Sequence, residues 1–168
     1  SFFNKSLIQS KIKYQILKKY NIDLKFTDEI NYVLLPKPHF ATSRSLILGK
    51  DKEIAQIEKL KIYISFKNLY SFDSLNVKDL TFIKTDFNIN KDDVYFFTNL
   101  LRNEPNENKI IFKDSNIFFK SRNDDLLFIN KIKKSELFYD SLNLQNILSS
   151  QNEVFNIPYK FKIKNDKF

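Results

Sequence analysis

Glycine is almost missing from this chain: Gly49 is the only one among 168 residues. That removes the glycine-rich phosphate loops, because the dinucleotide fingerprint and the P-loop both need several backbone positions without a Cβ. Cysteine is absent, which excludes a disulfide framework, a thiolate metal site and a cysteine nucleophile, and leaves the compartment open. His39 is the sole histidine, so a Ser-His-Asp relay would have to use it and no multi-histidine metal site exists within the chain. Long apolar runs are missing too. No stretch reaches the ~18 consecutive apolar residues of a membrane span, and no charged start followed by an apolar run reads as a signal peptide.

Arginine is scarce, and that colours the net charge of +8. The chain has 25 Lys but only 3 Arg, beside 20 Ile, 19 Asn, 18 Phe and 8 Tyr. Lys, Asn, Ile, Phe and Tyr share AT-rich codons, so the basic excess reflects genome composition first. Lysines scattered along strands form a solvated face. Arg dominates base and phosphate readout, so affinity for nucleic acid is expected to be weak, non-specific and lost as salt rises.

What is present in quantity is apolar alternation. Ile8, Ile12, Ile16 and Tyr20 fall at spacing four, which predicts one amphipathic helix over residues 5–20, with Asn21 as its left-handed C-terminal residue. The period then switches to two: Ile22, Leu24 and Phe26, then Ile30, Tyr32 and Leu34. Pro36 and Pro38 interrupt the pairing and place His39 in an extended edge. Leu46 and Leu48 resume the strand before the turn at Gly49-Lys50-Asp51. Leu60, Ile62, Ile64 and Phe66 face one way and Lys61, Tyr63 and Ser65 the other.

Leu75 with Val77, Leu80 with Phe82, and Phe87 with Ile89 read as short strands where the alternation slips, as at a bulge. Asp92 and Asp93 cap a short helix over residues 92–102. Ile110 with Phe112, Ile117 with Phe119 and Leu127 with Ile129 read as three more strands, turned at residues 114–116 and 121–125. Residues 137–148 suit a short helix and a strand equally. Phe155, Ile157, Tyr159, Phe161 and Ile163 form the cleanest strand. A faint echo relates Val77-Lys78-Asp79 with Phe82-Ile83 to Phe112-Lys113-Asp114 with Ile117-Phe118 at an offset of 35 residues.

Catalysis has little to stand on. Asp92-Asp93 and Asp124-Asp125 are the only adjacent aspartate pairs, and neighbours on a strand point to opposite faces; a helix cap and a turn account for them. The expectation is a non-enzymatic chain with no metal and no cofactor.

The order of elements resembles the N-terminal region of the AsmA family, over roughly residues 7–164. The resemblance is carried by the amphipathic helix, a strand ending in Pro36-Lys37-Pro38, and the stretch Ile57-Glu58-Lys59-Leu60-Lys61-Ile62-Tyr63-Ile64-Ser65-Phe66-Lys67-Asn68-Leu69. Next come Leu75-Asn76-Val77-Lys78-Asp79-Leu80-Thr81-Phe82 and a short helix with Thr98-Asn99-Leu100-Leu101. In that family a single membrane helix precedes such a segment. The resemblance implies a periplasmic protein anchored in the inner membrane, engaged in phospholipid transport or outer-membrane biogenesis as in the similar TamB-like proteins. The chain starts at Ser1 with Phe2 and Phe3 behind it and reads as one segment, residues 1–168, of a longer protein: an N-terminal helix over 1–20, then a β-rich part over 21–168.

The expected fold is therefore α+β: a predominantly antiparallel, curved and extended sheet, open along a groove, with the N-terminal helix and the short second helix. Acyl chains of phospholipid would lie on one apolar sheet face, for which the candidates are Leu60, Ile62, Ile64, Phe66, Val77, Phe82, Ile110, Phe112, Phe155, Ile157, Tyr159, Phe161 and Ile163. The inner membrane, through an upstream anchor, and other envelope proteins are the further expected partners. The competing expectation is a structural or interaction module with an ordinary closed core and an edge strand offered to a partner.

Overall fold

The computed structural model describes residues 4–69 and 71–167; Phe2 and Phe3 lie outside the described residues. Helix α1 spans Lys5–Tyr20, as the spacing of its isoleucines predicts. The Asn4 side chain accepts from the Leu7 amide, and Asn21 adopts the left-handed conformation (φ 55°) with its amide on the Leu17 carbonyl. Ile8, Ile12, Ile16 and Tyr20 are buried. Each isoleucine contributes ~1.5–3 kcal/mol before entropy is deducted.

Among the described residues nine strands follow: β1 (Asp23–Phe26), β2 (Ile30–Val33), β3 (His39–Leu48), β4 (Glu53–Ile64), β5 (Val77–Ile89), β6 (Ile110–Lys120), β7 (Leu126–Asp140), β8 (Gln145–Val154) and β9 (Ile157–Asp166). They make one open sheet in the order β1-β3-β4-β5-β6-β7-β8-β9, with β2 also paired to β3. Every pair is antiparallel except β5–β6, which needs a crossover because parallel neighbours cannot be joined by a tight turn. That crossover contains helix α2 (Tyr95–Arg102). The sequence places the helix at 92–102; residues Lys91–Asp93 are instead a 3-10 turn, capped by Asn90, whose side chain accepts from the Asp92 amide while the Asp93 carboxylate accepts from the Asn90 amide.

Several short strands of the sequence reading merge. Residues 114–116 are no turn: β6 runs straight through them, and Val77–Ile89 is likewise one strand. The reason is an extra residue at one level of five neighbouring strands. Ser43-Arg44 on β3, Glu58-Lys59 on β4, Ile83-Lys84 on β5, Lys113-Asp114 on β6 and Lys133-Lys134 on β7 are consecutive residues that both stay outside the core, so the alternation breaks without the strand ending. Arg44, Lys84 and Asp114 take positive φ of 43°, 51° and 49°. The register passes through this level unshifted from β3 to β7 and shifts only against β8, between Ile132 and Lys134. Arg44, Glu58, Lys84, Asp114 and Lys133 alternate in sign across the row, with Lys84 Nζ 3.4 Å from Glu58, an arrangement that favours this pairing over a slipped one.

Residues 137–148 resolve as the end of β7, a turn at 141–144 and the start of β8. The 35-residue echo does not match the ladder, where β5 and β6 pair at an offset of 30. His39 is not at an edge: β3 lies between β2 and β4, and the imidazole is buried against Tyr63 (ring centres 5.2 Å) with Nδ1 2.8 Å from the Lys37 carbonyl.

The final strand starts two residues later than its alternation predicts. Phe155 and Asn156, at φ 49° and 62°, form the two-residue turn of the β8–β9 hairpin, a geometry that favours Asn, Asp or Gly. A bulky residue there costs ~1 kcal/mol, and Phe155 is exposed, so it recovers little by packing. Phe155→Asn is therefore expected to raise the unfolding free energy by about 1 kcal/mol, read as a higher urea midpoint at constant slope; a lower midpoint would mean that the ring packs against something.

Candidate functional site

The thirteen residues proposed from the sequence fall into three groups. Leu60, Ile62, Ile64, Val77, Phe82, Ile110 and Phe112 are buried in one core cluster with Ile8, Ile12 and Ile16 of α1. They share a sheet face, as the cross-strand pairs Leu60–Phe82 and Phe82–Phe112 require, but in this structure they meet protein and not solvent. Phe66 is exposed in the 3-10 turn Phe66–Leu69, beyond the end of β4, and Phe155 is in the hairpin turn. Only Ile157, Tyr159, Phe161 and Ile163 lie along one accessible strand.

That strand, β9, is paired on one side only. Its four apolar side chains share one face, opposite Val154, Asn152, Ser150 and Leu148 of β8. Ile157 is 64% exposed, Tyr159 39% and Ile163 45%, with Phe161 half-buried between them. The Tyr159 and Phe161 rings stack 6.2 Å apart, and the Tyr159 hydroxyl donates to Asn130 Oδ1 at 2.9 Å, which fixes the strip to β7. The other face of β9 carries Lys160, Lys162 and Lys164, all exposed and without an ion pair among the described residues. The strand is thus apolar on one side and cationic on the other.

The sequence reading missed the side chains that hold this end of the sheet in place. The last carbonyls of a helix lack intrahelical partners, and at α2 they are met from the strands. The Leu101 carbonyl accepts from Asn146 Nδ2 and Asn165 Nδ2, each at 2.9 Å. Asn146 Nδ2 also reaches the Asn103 carbonyl at 2.8 Å, and Lys167 Nζ reaches that of Arg102 at 2.7 Å. Asparagine inside strands, where its propensity is low, was the signal available. Gln15 acts similarly on α1, donating to the Leu75 carbonyl and accepting from the Val77 amide.

The acidic residues at 92 and 93 are engaged in structure. Asp93 is buried and accepts from Lys52 Nζ at 2.7 Å, and Asp92 stands 3.7 Å from Arg122. On the outer face, Lys109 hydrogen-bonds Glu136 (2.9 Å) and holds its carboxyl below the usual range against the opposing effect of partial burial, with Lys134 adding to the shift. An outer trough of about 810 Å³ across β6–β9 is lined by Asp114, Lys131, Lys133, Gln151, Glu153 and Lys160, with Lys131 and Glu153 paired at 3.2 Å. Neither aspartate pair of the sequence converges on a shared cleft. Among the described residues no group of three His, Asp or Glu side chains is placed to hold a metal ion, and no helix is long and apolar enough to cross a membrane.

No protein-family model matches the chain, and no curated protein matches it.

Proposed function

We propose that this chain is the membrane-proximal periplasmic segment of an AsmA-like protein and helps phospholipid move, or the envelope assemble, by shielding acyl chains along an apolar sheet face. The observation that carries the reading is the strip Ile157, Tyr159, Phe161 and Ile163: three exposed apolar side chains and one half-buried between them, on a strand whose far side is unpaired. Covering apolar surface is worth ~25 cal/mol per Å², so a chain laid on the strip is held by area alone, while headgroups stay in solvent near the lysines. The mechanism is passive, without catalysis or cofactor, and the anchor in the inner membrane belongs to sequence upstream. The groove it needs is confined to the β9 end, since the candidates on β4, β5 and β6 are buried in the core cluster shared with α1 and α2.

A photo-crosslinking residue at Ile163 is expected to capture phospholipid in membranes several times better than one at Lys162, its neighbour on the opposite face. Equal capture at the two positions would defeat the groove.

The burial of seven of the thirteen candidates favours a second reading, a structural module with a closed core whose β9 edge receives a strand from a partner. It predicts no lipid capture at either position and protection of the outward β9 amides when the partner binds.

A further inference from the structure

Helix α1 carries two apolar stripes. Ile8, Ile12, Ile16 and Tyr20 enter the core. At ~100° per residue, Leu7, Tyr14 and Leu17 fall on the opposite side of the cylinder, where they are 50%, 63% and 46% exposed. A helix that only covers a core needs one stripe and a polar remainder; the second stripe of α1 lies in water.

Its charges are of one sign. Within Lys5–Tyr20 there are five lysines and no acid. Three of them are taken: Lys5 pairs with Glu29, Lys11 donates to the carbonyls of Phe72 and Asp73, and Lys19 donates to Asn76 Oδ1 and the Val77 carbonyl. Lys13 and Lys18, which flank the outward stripe on its two sides, have no ion pair among the described residues. The Lys18 ammonium stands 5.9 Å from the centre of the Tyr14 ring. Beside Tyr14 and Lys18 an open cleft of about 690 Å³ reaches the residues after α2 and is lined also by Lys19 and Arg102, with one carboxylate, Glu104, against these three cations. Arg102 is exposed and equally without an ion pair among the described residues.

We infer that this face of α1 docks on an anionic phospholipid membrane, with Leu7, Tyr14 and Leu17 entering the headgroup boundary and Lys13, Lys18 and Arg102 meeting phosphates. Charge complementarity selects the occupant. An apolar stripe bordered by unpaired cations is what an interfacial helix presents to anionic lipid. A second copy of the chain fits poorly, since joining two such faces would bring lysine against lysine. The inference rests on the membrane-proximal part of the proposed function and is independent of the β9 groove.

The test is co-sedimentation of the full chain with vesicles. Binding is expected to phosphatidylglycerol vesicles and not to phosphatidylcholine vesicles. The exposed double variant Leu7→Ser/Leu17→Ser, checked for an unchanged circular dichroism spectrum, should weaken binding at least about tenfold, and Lys13→Gln/Lys18→Gln by about as much. Inorganic phosphate, compared with chloride at equal ionic strength, should not release the protein. No binding to phosphatidylglycerol, equal binding to both lipids, or full binding by the leucine variant would overturn the inference. Specific release by phosphate would also overturn it, by assigning the cleft to a soluble anion. Vesicle binding without lipid capture at Ile163 would sink the groove and leave this surface standing; the converse result would do the reverse.

Discussion

Replacing Ile12 by aspartate is expected to unfold the protein. Ile12 is fully buried on the inward stripe of α1, between Ile8 and Ile16, and no Lys or Arg is buried among the described residues. The carboxylate must either stay charged without a partner or take up a proton, and the site also loses an isoleucine, so the cost is roughly 4–5 kcal/mol or more. Against a typical total of about 5–15 kcal/mol that abolishes or severely weakens the cooperative urea transition. Ile12→Val should cost only ~1 kcal/mol. Tyr14→Asp, two residues on and facing water, should leave the transition almost unmoved. Similar midpoints for Ile12→Asp and Tyr14→Asp would mean that α1 does not cover the sheet.

The second large effect separates core from groove. Phe82 is fully buried, with its ring stacked on that of Phe112 at 4.8 Å. Phe82→Ala is therefore expected to cost ~3–5 kcal/mol, measured by urea or thermal unfolding of the lipid-free protein. Ile163→Ala, on the exposed strip of β9, should cost less than about 1 kcal/mol and instead reduce lipid capture. Were Phe82 part of an open groove, its truncation would be as mild as that of Ile163. A small loss at Phe82 would reopen the whole apolar face to ligand.

These contrasts track what a single sequence reveals. α1 was legible to the residue because four-residue spacing and the Asn21 cap are local signals. Most strands were legible in position and too short in extent: the paired outward residues at 113–114 and 83–84 look like ends of strands when each strand is read alone. Only the neighbouring strands, carrying the same extra residue, show that the ladder continues. The face occupied by Leu60, Ile62 and Phe82 was legible as well, since alternation fixes which side chains share a face. What covers that face was not, because period two carries no record of a helix 50 residues away. The parallel step from β5 to β6 was equally hidden, as nothing in a strand's own residues reports its partner's direction. The polar ties, Asn146 and Asn165 to α2 and Gln15 to residues 75–77, depend on contacts between remote segments and leave no spacing to detect.

The row of extra residues from Arg44 to Lys133 also constrains how this chain can change in length. Deleting Lys84 alone would turn one half of β5 over, because a slip of one residue exchanges the two faces of a strand. Leu80 and Phe82 would then point to water and Thr81 and Ile83 into the core, unless β4 and β6 lost a residue at the same level. Insertions and deletions in this sheet are thus coupled across five strands at its middle and free only in its turns. Related sequences should differ in length at positions such as 50–52, 121–125 and 141–144, and keep a constant number of residues on either side of the row.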